Sequence, residues 1–199
     1  MRPTVETKTT TRRKKAPRSL FNKSTVRSMV TKNGQTHTIS KKALDTVSAM
    51  GDDFLKKLIR KCKMLIQNQP NQVDGQNVTI CPRHIIAAAN AMQVPGEITE
   101  DAVQRAVRHA FDNKGFKNST IRRKMAAYAG RNWVKKDSNK YIWCIVTTLL
   151  EEIFSQAIEN KQGEKTRITS QAVYRSIETH PDNLLKPLKS YIGEGRSFV

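Results

Sequence analysis

The sequence predicts an all-α protein in which one helical unit is used twice. Two observations carry this: apolar residues that recur at steps of three and four over long proline-free stretches, and a second half that repeats the first at a near-constant offset. A third observation concerns what such a protein meets. The 199 residues hold 36 Lys and Arg against 17 Asp and Glu, a formal charge of +19. A field of that size points to a polyanion, nucleic acid or anionic lipid. The longest apolar run, residues 141–146, is far short of the roughly 20 residues that cross a bilayer. The N-terminus is basic without the apolar stretch of a signal peptide, so neither a membrane span nor secretion is expected. Three cysteines, Cys62, Cys81 and Cys144, have no CxxC spacing. They suit packing thiols in a reducing compartment better than a disulfide framework.

Residues 1–19 read as a disordered basic arm. Seven basic residues stand against a single Glu6, a net charge of +6 that leaves +13 on the rest of the chain. With almost no large apolar side chain, the segment cannot bury enough surface to order itself. A weakly periodic short helix is expected over about 23–31. From 41 to about 68, Leu44, Val47, Met50, Phe54, Leu55, Leu58, Cys62 and Leu65 mark a long amphipathic helix. Ser40 is its N-cap, and Pro70 and Gly75 lie in the polar stretch that ends it. The triplet Val78-Thr79-Ile80 is strand-prone. A second short helix opens near Pro82, which a first turn tolerates, carries Ile85, Ile86 and Ala89, and is expected to break at Pro95-Gly96. Thr99, followed by Glu100 and Asp101, reads as the cap and acidic first turn of an additional helix reaching about 111.

The second half follows the same plan. A short helix is expected over 121–129, and a long one over about 141–160 with Ile142, Ile145, Leu149, Leu150, Ile153, Phe154 and Ala157. The triplet Thr166-Arg167-Ile168 follows, then a short helix with Ala172, Val173 and Ile177 begun by Thr169 or Ser170. An offset of 95 aligns Leu55 with Leu150, Leu58 with Ile153, Ile59 with Phe154 and Cys62 with Ala157. After the long helix the offset is 88, pairing Ile80 with Ile168 and Ile85 with Val173, so the first half holds a seven-residue insertion around 69–75. The expected organisation is an arm at 1–19, a first unit with its extra helix at 20–113 and a second unit at 114–199, with the joint at 112–119. A long helix with a short helix at each end leaves its apolar stripe uncovered. Two such units are therefore expected to pair, their long helices crossing.

Local strings narrow the reading. Thr38-Ile39-Ser40-Lys41-Lys42-Ala43-Leu44, then residues 79–84 and Pro95-Gly96-Glu97-Ile98, resemble histone 2B, including its extra C-terminal helix after a Pro-Gly-Glu turn. Lys165-Thr166-Arg167-Ile168-Thr169 and Tyr191-Ile192-Gly193-Glu194-Gly195 resemble histone 2A at its second loop and docking segment. Gly130-Arg131-Asn132-Trp133 is similar to the Gly-Asn-Tyr flank of histone 2A. The resemblance covers residues 18–199, and its order, 2B first and 2A second in one chain, resembles the fused histone doublets of giant DNA viruses that infect amoebae. It implies two tandem histone folds paired as an intramolecular 2B–2A-type pseudodimer. It further implies non-specific wrapping of double-stranded DNA with a histone 4–3-type doublet, or histones 3 and 4, and a second copy of the chain in a nucleosome-like particle. The implied location is intracellular: the viral factory or host nucleus, and the virion in association with DNA.

The resemblance also implies where DNA is met. In a histone pair the first loop of one partner lies beside the second loop of the other. Ile39, Ser40 and Lys41 would join Lys165, Thr166 and Arg167 at one end, and Lys135 and Lys136 would join Asn77 and Thr79 at the other. Cations and bare amides at helix N-termini there suit phosphates. In the histone octamer, arginines enter each inward-facing minor groove. Arg167 and Arg18 fall on such positions, and Asn77 stands in place of such an arginine. Arg122, Arg123 and Lys124 fall where the first helix of the 2A half meets phosphates, and Arg12, Arg13, Lys14 and Lys15 belong to the DNA-contacting arm. Family members carry an acidic patch gripped by arginines of other proteins. Here Glu97 and Glu152 match it with Asp182 nearby, whereas Arg105, Thr147, Ser155 and His180 stand where acids are expected, which implies a thinned patch. Tyr191 and Ile192 would dock on a histone 4-like partner by adding a strand.

Other chemistry finds little support. His37, His84, His109 and His180 are scattered, with neither HExxH nor ligand spacing to cysteine, so no metal is expected. Gly193-Glu194-Gly195 is a lone GxG and no nucleotide loop, and Asp52-Asp53 and Glu151-Glu152 sit on amphipathic helices as solvated faces or ion pairs. No nucleophile, base and orienting group stand together, so no enzyme, cofactor or small-molecule substrate is expected. A membrane-surface role is disfavoured because no helix sets a Lys/Arg face against Trp and Phe. The alternative is a histone-fold transcription-factor or DNA-bending subunit pair acting outside nucleosomes.

Overall fold

The computed structural model describes residues 21, 23–32, 35–68, 79–108, 118–129, 133–135, 137–159, 167–179 and 188. The basic arm at 1–19 and the docking segment at 191–192 lie outside them. The described residues are all-α apart from two-residue strands. In chain order they form α1 (Lys23–Met29), β1 (Thr31–Lys32), β2 (Gln35–Thr36), β3 (Thr38–Ile39), α2 (Lys41–Gln67), β4 (Thr79–Ile80), α3 (Pro82–Ala91), α4 (Gly96–Arg108), α5 (Asn118–Ala129), β5 (Trp133–Val134), α6 (Ser138–Glu159), β6 (Arg167–Ile168) and α7 (Ser170–Thr179). A short helix, a strand, a long helix, a strand and a short helix thus occur twice, with the β1–β2 hairpin added in the first set and α4 following it.

The two long helices share one core. Phe54, Leu55, Leu58, Ile59 and Cys62 of α2 and Leu149, Leu150, Ile153, Phe154 and Ala157 of α6 are at most 1% exposed and belong to a single apolar cluster. The residues aligned by the offsets of 95 and 88 are buried in both halves, as Ile80 and Ile168 are. Burying a Leu, Ile or Phe side chain is worth about 1.5–3 kcal/mol. This stripe is therefore what holds two otherwise incomplete units together.

Close packing extends to the N-terminal edge. The Phe21 ring stacks on Trp143 with centroids 5.3 Å apart and planes 6° from parallel, and Ser48 Oγ donates to the Phe21 carbonyl at 2.6 Å. Gly51 makes this possible: a Cβ there would sit 2.7 Å from Phe21 Cδ2 and 2.9 Å from Leu150 Cδ1. Gly51→Val is expected to destabilise by about 2 kcal/mol or more, because overpacking outweighs the helix propensity gained. Urea denaturation checks this, and an unchanged midpoint would refute the close packing of Phe21.

Several expectations are corrected. The first short helix ends at Met29, and Thr31–Lys32 instead pairs antiparallel with Gln35–Thr36. The sequence signal for this hairpin is Asn33-Gly34, a favoured two-residue turn pair. The third helix stops before Pro95-Gly96. Gln93 is left-handed (φ 60°), its N–H bonds the Asn90 carbonyl at 2.9 Å, and the Val94 N–H bonds the Ala89 carbonyl at 3.0 Å. That paired arrangement satisfies the last carbonyls of a helix. Pro95 then opens α4 by accepting the Thr99 N–H, so Thr99 is no cap; it lies in the first turn and its hydroxyl donates to Pro95 O at 3.1 Å. The helices α5 and α6 each begin three residues earlier than their apolar periodicity indicates. For α6 the reason is visible: its first residues, Ser138 and Asn139, are polar yet buried, and Ser138 Oγ donates to the Ile80 carbonyl at 2.9 Å.

With a mean hydropathy of 1.2 over its best window, α6 is long and apolar enough to cross a membrane by length and composition, although no contiguous apolar run showed it. Its apolar side chains are instead buried in the shared core, where Ile142, Ile145, Leu149 and Leu150 are fully covered.

Candidate nucleic-acid interface

Each end of the paired long helices carries one parallel strand pair drawn from both halves. At the first end β3 pairs with β6, setting Thr38 beside Arg167 and Ile39 beside Ile168, and the Ser40 N–H continues the ladder to the Ile168 carbonyl at 2.9 Å. Strand alternation sends Ile39 (9% exposed) and Ile168 (0%) inward and Thr38 and Arg167 outward. Two helices start here. Ser40 accepts the Ala43 N–H at 3.1 Å to cap α2, and Thr169 accepts the Ala172 N–H at 3.2 Å to cap α7. Their N-terminal dipoles therefore converge beside exposed Lys41 and Arg167.

At the second end β4 pairs with β5, setting Thr79 beside Trp133 and Ile80 beside Val134, and the Lys135 N–H reaches the Ile80 carbonyl at 3.1 Å. The helices α3 and α6 start here, next to exposed Thr79 and Lys135. The capping differs from the first end. The Cys81 N–H donates to His84 Nδ1 at 3.1 Å, so here a side chain of the first turn accepts the amide of the N-cap residue, whereas at the first end the N-cap hydroxyls accept amides of the first turn. His84 is 8% exposed. Burial, and then the adjacent Arg83 charge, push its pKa below the usual 6.5, opposed by hydrogen bonding to the Thr79 backbone.

A histidine whose folded pKa is lowered favours the neutral ring in the folded state. Its contribution to stability is full above the unfolded value of about 6.5 and is lost as pH falls through the lowered folded value. Stability measured by urea denaturation is therefore expected to decline on acidification from about pH 7.5 to 5, with His84→Gln flattening that decline. An unaltered decline in the variant would show that His84 does not govern it.

The structure thus brings Ile39, Ser40, Lys41 and Arg167 together at one end and Thr79 and Lys135 at the other. Ile39 offers only its main chain to the surface, since its side chain is core. Arg123 is exposed on α5, whose backbone also carries Arg122 and Lys124. Asn77, Lys136, Lys165, Thr166, Asp182, Tyr191 and Ile192, with Arg12, Arg13, Lys14, Lys15 and Arg18, lie outside the described residues.

Glu97 and Glu152 share a cleft of about 470 Å³ between α4 and α6, with Asp101, Glu151 and Arg105 also in its lining. Arg105 bonds Glu151 and pairs with Asp101 at 2.8 Å, so it stands between two carboxylates. Burial opposes the Arg105 charge, and the hydrogen bonds and charges of the two acids outweigh it, so its pKa is raised. The Asp101–Arg105 spacing of four was readable as a helix-face pair, whereas Glu151, 46 residues away, was not. The Cys62 and Cys144 thiols are pushed up by burial to about 12 and about 11, which makes them inert packing groups. Among the described residues no three His, Cys, Asp or Glu gather as a metal site. A scan against protein-family models matches none, and no curated protein matches the chain.

Proposed function

We propose that the chain is a DNA-packaging protein: two tandem histone folds, 2B-like then 2A-like, paired within one molecule and wrapping double-stranded DNA without reading its sequence. The observation that carries this reading is the pair of cross-half parallel bridges, Thr38–Ile39 with Arg167–Ile168 and Thr79–Ile80 with Trp133–Val134. Each joins the loop before a long helix to the loop after the other, beside two helix N-termini and outward cations. That geometry suits phosphates of a duplex, and among the described residues it offers no side-chain array for reading bases. The charge of +19 agrees with it. The proposed partners are a histone 4–3-type doublet, or histones 3 and 4, and a second copy of the chain in a nucleosome-like particle. The proposed locations are the viral factory or host nucleus and the virion.

Fusion makes the pairing intramolecular, at an effective concentration of order millimolar for a short flexible linker. The test is reconstitution with a histone 4–3-type doublet on random-sequence DNA followed by nuclease digestion. A discrete protected length that needs both proteins is expected. Protection at preferred sites without the second doublet would overturn packaging in favour of a histone-fold transcription-factor or DNA-bending pair.

A further inference from the structure

His84 faces two N–H donors with a ring that can accept only one of them. The Cys81 N–H points at Nδ1 from 3.1 Å, and the Arg83 Nε–H points at Nε2 from 3.3 Å. A neutral imidazole has one bare nitrogen and one N–H, and an imidazolium has no bare nitrogen at all. The main-chain amide takes the bare nitrogen. Its contact is the shorter one, and a main-chain amide without an acceptor is costly, whereas the exposed Arg83 guanidinium reaches solvent. Nε2 then carries the hydrogen. Two N–H donors, His84 Nε2–H and Arg83 Nε–H, therefore stand side by side, and among the described residues no acceptor joins them.

The two residues differ in how they are held. His84 is 8% exposed and its ring is fixed by the Cys81 amide, while Arg83 is exposed and, among the described residues, joins no ion pair. We propose that Arg83 and His84 form a seat for one phosphate group, whose oxygens accept both N–H groups at once. Arg83 supplies the attraction, and the buried ring decides where the oxygen sits. Bonds from a guanidinium to an anionic oxygen are stronger than those to water, so a phosphate displaces solvent there. Cys81 takes no part in binding; its amide holds the ring in the tautomer that donates outward.

Position favours a phosphate among anions. Both residues lie in the first turn of α3, at the end where β4 pairs with β5 and where Thr79 and Lys135 are exposed. A hydroxyl and an ammonium beside two N–H donors suit a ligand with several acceptor oxygens. The opposite end has no counterpart. The offset of 88 carries Arg83 and His84 to Gln171 and Ala172 of α7, neither of which is a cation or a ring. The seat therefore makes the two ends chemically unequal. A DNA backbone phosphate and a free phosphate offer the same oxygens; the DNA source rests on the packaging reading, and the seat itself does not.

The test is long-range proton–nitrogen NMR of the His84 ring in the full chain at about pH 7.5, where the ring is neutral, its signals identified by their loss in His84→Phe. The free chain is expected to show the Nε2–H tautomer. Inorganic phosphate and a short duplex are then titrated in separately, and each is expected to move the Nε2 resonance more than Nδ1, an effect lost in Arg83→Gln. Arg83→Gln is also expected to bind DNA about fivefold more weakly at unrelated sequences, with a salt slope lower by about one. A free chain with the hydrogen on Nδ1 overturns the proposal, since Nε2 then accepts from Arg83 and no donor pair exists. An Nε2 resonance that neither phosphate nor DNA moves overturns it as well. A response to inorganic phosphate with DNA affinity unaltered in Arg83→Gln supports the seat and assigns it to a free phosphate. A chain that responds to phosphate but binds no DNA supports the seat and overturns the packaging reading instead.

Discussion

Replacing Phe54 with alanine is expected to cost about 3–5 kcal/mol and to lower the stability of both halves together. Phe54 is fully buried on α2, and its counterpart by the offset of 95, Leu149 on α6, is fully buried in the same cluster. Among the described residues neither long helix has a second apolar core to fall back on, so the void left by the ring weakens the crossing itself. Against a typical total of about 5–15 kcal/mol, the loss is a large fraction. Calorimetry should show one transition whose midpoint shifts down and does not depend on protein concentration. Two separate transitions, with only the first half displaced, would mean that the halves fold independently.

Arg167→Glu is expected to weaken DNA binding on the order of tenfold, equally at unrelated sequences, and to lower the salt slope by about one or more. The side chain is exposed on β6 opposite Thr38, beside the capped starts of α2 and α7, with no ion pair among the described residues. Reversing its charge removes a cation and sets a repelling carboxylate at the same phosphate. The fold should be untouched, because the inward member of the same strand, Ile168, anchors the pairing. Titrations on two unrelated duplexes at several salt concentrations check this. Loss confined to one sequence would contradict phosphate binding.

Much of the fold was legible because it is local. Helical periodicity marked α2, α6 and α7, and Ser40 and Thr169 cap helices by bonds to amides three residues on. Where local signals misled, a specific competing interaction prevailed. Pro95-Gly96 reads as a stop, but the left-handed Gln93 had already closed α3 and left Pro95 to start α4. Ser138 and Asn139 read as loop because burial of polar residues leaves no apolar pattern. The candidate site was legible in its residue types, a basic residue beside a capping hydroxyl. The proximity of Arg105 to Glu151 was not, since no periodicity links two helices.

By itself, the sequence determined most of the helices, the caps of α2 and α7, the repeat and the excess of positive charge, all of which depend on neighbours within a few turns or on simple counting. The tertiary structure alone decided which faces are covered: two long helices of matching register differ because α4 lies along α6 and no described helix does the same for α2. Burial is a relation between segments distant in the chain, set by which surfaces meet on folding.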